Sequence, residues 1–143
     1  MREIKFRAWD KKKKVMFAVH ELKFDKHDLS LDFIQGYTGY DRDGWTVEGN
    51  GIMRYANAPR YDLMQYTGLK DKNGKEIYEG DIVRISNHPF DGPIEVNRNY
   101  AVSYNSEMEL CCGSWLLFRM RHYAEVIGNV FEHPELLKVK EGD

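Results

Sequence analysis

The chain has only two cysteines, Cys111 and Cys112, and they are neighbours. A disulfide between adjacent residues closes a strained ring, so the pair cannot frame a secreted fold. A reducing compartment is the natural home, and the expectation is two reduced thiols, buried or half-buried on a strand. Zinc ligands come in pairs at spacings such as C-x-x-C, and neither cysteine has such a neighbour. Proline is also scarce, 4 in 143 residues, while 42% of the chain is hydrophobic and 31% charged. That balance excludes collagen-like, linker-like and broadly disordered chains. No apolar run approaches the roughly 20 residues a membrane helix needs. Met1 to Asp10 alternates polar and apolar residues and lacks a signal-peptide core, so a cytoplasmic protein is expected.

Motifs for phosphate and metal chemistry are missing as well. No G-x-x-x-x-G-K-[ST] or G-x-G-x-x-G occurs, which argues against ATP hydrolysis and nicotinamide chemistry. Asp41-Arg42-Asp43-Gly44 and Asp71-Lys72-Asn73-Gly74 begin like calcium loops, yet both lack the later oxygen ligands and read as turns. The five histidines, His20, His27, His88, His122 and His133, are too scattered to pair on a metal, and no nucleophile sits in a recognisable elbow. The expectation is therefore no catalytic residue, no cofactor and no metal: a protein that is not an enzyme.

What the sequence does contain is a succession of short strands. Ile4 to Trp9 and Val15 to His20 alternate with period two around Asp10 to Lys14, the pattern of a β-hairpin. Glu21 to Ser30 is charged and irregular, with another strand expected near Leu29 to Ile34. Further strands are expected at Ile52 to Ala56, Tyr61 to Tyr66, Ile82 to Ile85, Ile94 to Val96, Tyr100 to Tyr104, Trp115 to Phe118 and Ala124 to Phe131. Asn73-Gly74 suits the two positive-φ positions of a type I′ hairpin turn, and Glu79-Gly80-Asp81 makes a second tight turn. The best helix signal is Pro134-Glu135-Leu136-Leu137. Together these describe one mainly β domain spanning residues 1–143, a barrel or sandwich with at most short helices, one of them near the C-terminus.

Charge is unevenly spread. Residues 1–20 hold seven Lys or Arg against two Asp or Glu, a local +5, so with a net charge of −2 the other 123 residues carry −7. Lys11 to Lys14 fall in the expected hairpin turn, where they form a solvated loop that discourages edge pairing. They also admit nucleic-acid binding, although the run has no interleaved aromatics and the acidic remainder opposes a large footprint.

Three segments resemble the YopX family of bacteriophage and prophage proteins. They are Arg2-Glu3-Ile4-Lys5-Phe6-Arg7-Ala8-Trp9-Asp10, then Gln65-Tyr66-Thr67-Gly68-Leu69 running through Asp71-Lys72-Asn73-Gly74 to Glu79-Gly80-Asp81-Ile82-Val83, and finally Glu125-Val126-Ile127-Gly128-Asn129 running to His133-Pro134-Glu135-Leu136-Leu137. They stand in the family's order and reach from end to end. The resemblance implies a β-rich, barrel-like fold and a phage or prophage origin in a bacterial host cytoplasm, with no catalytic residues to carry over. His133 stands where relatives carry asparagine, which weakens the expected helix cap. Residues 21–60 carry no recognisable family motif.

That unmatched region contains Gly36-Tyr37-Thr38-Gly39-Tyr40-Asp41-Arg42-Asp43-Gly44-Trp45, too rich in glycine for a helix and too aromatic for a linker. It reads as a shaped loop. Tyr37, Tyr40, Arg42 and Trp45 are the candidate ligand or partner residues, able to stack on a base and meet a phosphate. The functions expected are a non-enzymatic phage accessory protein acting as a homo-oligomer, with sequestration of a host nucleotide-type signal and weak nucleic-acid binding as alternatives. Partners would be the chain itself, a host protein or a nucleotide-type small molecule, and no membrane.

Overall fold

The computed structural model describes residues 2–37, 39–41, 44–46, 61–90 and 92–138. Strand far exceeds helix. In chain order the strands are β1 (Phe6–Asp10), β2 (Val15–Phe24), β3 (Leu31–Tyr37), β4 (Gly39–Asp41), β5 (Gly44–Thr46), β6 (Tyr61–Lys70), β7 (Glu76–Tyr78), β8 (Asp81–Ile85), β9 (Asn99–Tyr104), β10 (Leu110–Cys112), β11 (Trp115–Leu116) and β12 (Ala124–Asn129). Among the described residues there is one α-helix, α1 (Leu117–Met120), and 3-10 turns follow at Arg121–Tyr123 and Pro134–Leu137. The pairings give a five-stranded sheet in the order β3-β2-β1-β6-β7, another in the order β11-β10-β9-β8-β12, and the separate pair β4-β5. Among the described residues neither five-stranded sheet closes on itself, so the mainly β expectation is met without a closed barrel.

Contacts group the chain into two compact units, Ile4–Gln65 and a second formed by Met1–Glu3 with Tyr66–Asp143. Each has its own apolar centre. In the first, Ala8, Phe17, Ile34 and Tyr61 are buried together, with the Phe17 ring edge-on to Tyr61 at 5.5 Å. In the second, Ile77, Val83, Ile85, Val96, Val102, Cys112, Leu117, Met120 and Ala124 form the core. Alternation along β8, β9 and β10 supplies Val83, Ile85, Val102 and Cys112, and α1 closes over them with Leu117 and Met120.

Four hairpin loops share a construction that the side chains dictate. Each opens with Asp or Asn, whose carboxylate or amide oxygen accepts backbone N–H groups of its own loop and so fixes the turn. Asp10 accepts from Lys12 and Lys13, and Asp25 in the same way from His27 and Asp28. Four residues on, Lys14 (φ 58) and Leu29 (φ 62) adopt left-handed backbone. The other two loops form a second matched pair. Asp71 Oδ1 accepts from Asn73 and Lys75, and Asn105 Oδ1 from Glu107 and Glu109. Here the left-handed residue comes three positions on, Gly74 (φ 83) and Met108 (φ 61).

The hairpin at Asn73-Gly74 is thus present, but its turn is not type I′. Asn73 does not share the positive φ of Gly74, and the Gly74 N–H donates to the Asp71 carbonyl at 3.0 Å. This is a type I turn followed by a left-handed residue, the three-residue alternative for joining twisted strands. Other expectations shift too. β2 runs on to Phe24, through the first four residues of the stretch read as irregular. Ile94–Val96 forms no strand, because Val96 is instead buried as the anchor of the β8–β9 connection. Only Trp115–Leu116 of the Trp115–Phe118 run is extended, since Leu117 starts α1. The expected strand at 52–56 lies outside the described residues.

The two long family-like segments meet within the second unit. Asp71 Oδ2 accepts the Val126 N–H (2.9 Å), Lys72 N–H donates to the Ala124 carbonyl (2.9 Å), and Val130 N–H donates to the Gly80 carbonyl (2.8 Å). Thr67 Oγ1, buried, donates to the Ile77 carbonyl and accepts the Leu69 N–H, holding the irregular stretch between β6 and β7. These polar residues are scaffolding.

Candidate functional site

The aromatic stretch after Gly36 is not a plain loop. Tyr37 ends β3, and β4 pairs antiparallel with β5 so that Tyr40 stands opposite Trp45 and Asp41 opposite Gly44. The backbone register thus pairs Tyr40 with Trp45, and Tyr37 lies on the preceding strand. Arg42 lies outside the described residues.

The lysine run occupies the β1–β2 loop. Lys11 to Lys14 are all exposed, and Lys11 Nζ lies 3.4 Å from Asp62. Lys12 and Lys13 contribute their backbone N–H groups to Asp10, so the loop is fixed while their ammonium groups remain in water.

A second surface was not legible from the motifs. It is built on the β8–β9 connection, which Ile85 N–H closes by donating to the Arg98 carbonyl. Inside it, His88 Nδ1 accepts the Phe90 N–H, the His88 ring lies 4.7 Å from Tyr123, and Tyr100 Oη donates to the Val96 carbonyl. Phe90 is thereby presented to Trp115, ring centres 6.0 Å apart, with most of the connection still in water. In the same unit Met108 is 76% exposed, Phe118 68% and Ile94 62%. A phenylalanine set between Pro89 and Gly92 was the one sequence signal that could have pointed here.

The cysteines match the expectation of buried thiols on a strand. Both are free and buried on β10, whose alternation turns them to opposite faces. Cys112 enters the core, and burial pushes its thiol from 9.0 up to about 12. Cys111 receives the Asn105 Nδ2–H at 3.6 Å. A thiol that resists ionisation is a poor nucleophile. Iodoacetamide at pH 8 should leave Cys112 unmodified in the folded protein, and both thiols should be modified once it is unfolded without reductant. Because the folded value lies above the unfolded one, Cys112 favours folding below about pH 9, and this contribution is lost as pH rises through 12. Rapid labelling of the native protein at pH 8 would contradict the burial.

Among the described residues, no three His, Cys, Asp or Glu side chains stand together as metal ligands would, and no helix is long and apolar enough to cross a membrane. No curated protein matches the chain. The crystal structure of protein EF1440 from Enterococcus faecalis is similar, with a TM-score of 0.64 and 29% sequence identity over 96% of this chain and 100% of that one. The family model described as YopX protein matches residues 5–138, which takes in all three segments apart from the opening residues 2–4 and also spans residues 21–60, the stretch without a recognisable motif, so the expectation that this stretch stands apart from the family is not met. The chain belongs to the YopX family.

Proposed function

We propose that this protein is a non-enzymatic accessory protein of a phage or prophage that works by binding, and that its first partner is a second copy of itself. The observation that supports this reading is the amount of large apolar side chain held in water on the Tyr66–Asp143 unit: Met108, Phe118, Ile94 and Phe90 beside Trp115. Methionine and aromatic residues are enriched at protein contacts relative to the rest of the surface. Several of them sit on fixed backbone, so little ordering entropy opposes association. Sedimentation velocity over a wide concentration range should give a mass that rises with concentration. A monomer at every concentration would overturn the reading.

The register of Tyr40 with Trp45 favours a second reading, capture of a nucleotide-type signal between aromatic rings with Arg42 on a phosphate. Calorimetry against cyclic nucleotides and ADP-ribose separates the two. Saturable heat from a non-associating protein would move the function to that hairpin.

A further inference from the structure

The β6–β7 and β9–β10 loops are the same device built from different residues. Asp71 and Asn105 head them, each accepting the second and fourth N–H that follow at 2.8–2.9 Å. In each, the third residue closes the turn by donating to the heading carbonyl at 3.0 Å, and the heading N–H donates to the fourth residue's carbonyl at 2.8 Å and 3.0 Å. They differ at the residue that must turn left-handed. One loop uses Gly74, for which this backbone carries no steric penalty, and the other uses Met108.

No burial of its side chain offsets that strain, because Met108 is 76% exposed; Leu29 is likewise left-handed and 74% exposed, but it is not flanked by two glutamates as Met108 is. A bulky residue kept in strained backbone at the tip of a rigid loop marks a site whose reward lies outside the fold. Asn105 also donates to the Glu109 carboxylate, so the tip presents methionine between Glu107 and Glu109. The chain carries a surface of opposite character in the fixed, exposed lysine loop Lys11–Lys14. Lysine stems offer apolar contact to a methionine while their ammonium groups meet carboxylates.

We propose that Met108 is an anchor for self-association, its acidic hairpin tip docking on the lysine loop of a second copy. This rests on the self-binding reading above and names the two elements that meet. The contact is head-to-tail, since the tip and the loop are different surfaces, and successive copies can extend it.

Met108→Gly separates this role from a structural one. At concentrations too low for association, the variant should melt about 2–4 °C higher than the wild-type protein, because glycine relieves the left-handed residue. Its self-association should weaken tenfold or more. Charge exchange then identifies the partner surface. Glu107→Lys alone and Lys12→Glu/Lys13→Glu alone should each abolish association, and mixing the two should restore a 1:1 complex that weakens with salt. A wild-type protein that never associates overturns the self-binding reading itself. A wild-type protein that associates, with Met108→Gly associating equally well or melting lower, overturns the anchor and leaves that reading standing. Two charge variants that fail to pair with each other overturn the lysine loop as the docking surface.

Discussion

Asp71→Ala should cost about 3–5 kcal/mol, a large part of the roughly 5–15 kcal/mol that holds a typical domain folded. Asp71 is buried, and its two carboxylate oxygens serve three backbone donors, Asn73 and Lys75 within its hairpin and Val126 fifty-five residues away on β12. Alanine strands all three. A buried donor left without an acceptor costs about 1–3 kcal/mol, and the two turn donors recover part of that by reaching water. Asp71→Asn keeps one acceptor oxygen and opposes an amide N–H to that of Val126, so it should fall between alanine and wild type. Urea denaturation of the three proteins reads the order directly. Alanine and asparagine variants as stable as the wild type would show that the carboxylate does not clamp the hairpin to β12.

Gly36→Ala should be comparably damaging in the Ile4–Gln65 unit. Gly36 is buried and pairs with Val19 where β3 crosses β2, and a Cβ there would run into the Ala18 carbonyl oxygen and lie 2.7 Å from the Phe17 ring. The obstacle is backbone, which cannot rotate aside, so the two strands must separate. Overpacking of a fixed site costs about 1–3 kcal/mol, and backbone displacement places this substitution at or above the top of that range. Gly74→Ala is the control. Its Cβ would meet nothing within 4 Å, and only the left-handed backbone penalty of about 1 kcal/mol remains. Thermal melting should rank Gly36→Ala well below Gly74→Ala, and the reverse order would remove the close β2–β3 approach.

Local pattern was enough for elements whose partners are near in the chain. Period-two alternation marked β1 and β2 as a hairpin, Asn73-Gly74 marked the centre of another, and Pro134 marked the closing helical turn, which the structure renders as a 3-10 turn. Adjacency of Cys111 and Cys112 excluded a disulfide framework, because a bridge between chain neighbours closes a strained ring. The two aromatics placed in register, Tyr40 and Trp45, were also chosen from sequence, though their ladder was read as loop because three-residue strands rich in glycine carry almost no periodic signal.

Tertiary structure decided the rest, and the reason is the same in each case. Left-handed turns at Lys14, Leu29 and Met108 were invisible because a search for glycine misses turns that an Asp or Asn side chain fixes several residues earlier. Ile94–Val96 has the composition of a strand, yet burying Val96 beneath the β8–β9 connection outweighs a ladder bond. The same folding step leaves Phe90 beside Trp115 in water. The role of Asp71 depends on Val126, and exposure of Met108 on the loop that Asn105 builds. Sequence alone determined a mainly β chain of the YopX family with no cysteine framework and no apolar run long enough for a membrane helix. Which polar residues clamp it and which apolar ones face outward was set by contacts between residues far apart in the chain, whose energies no local pattern encodes.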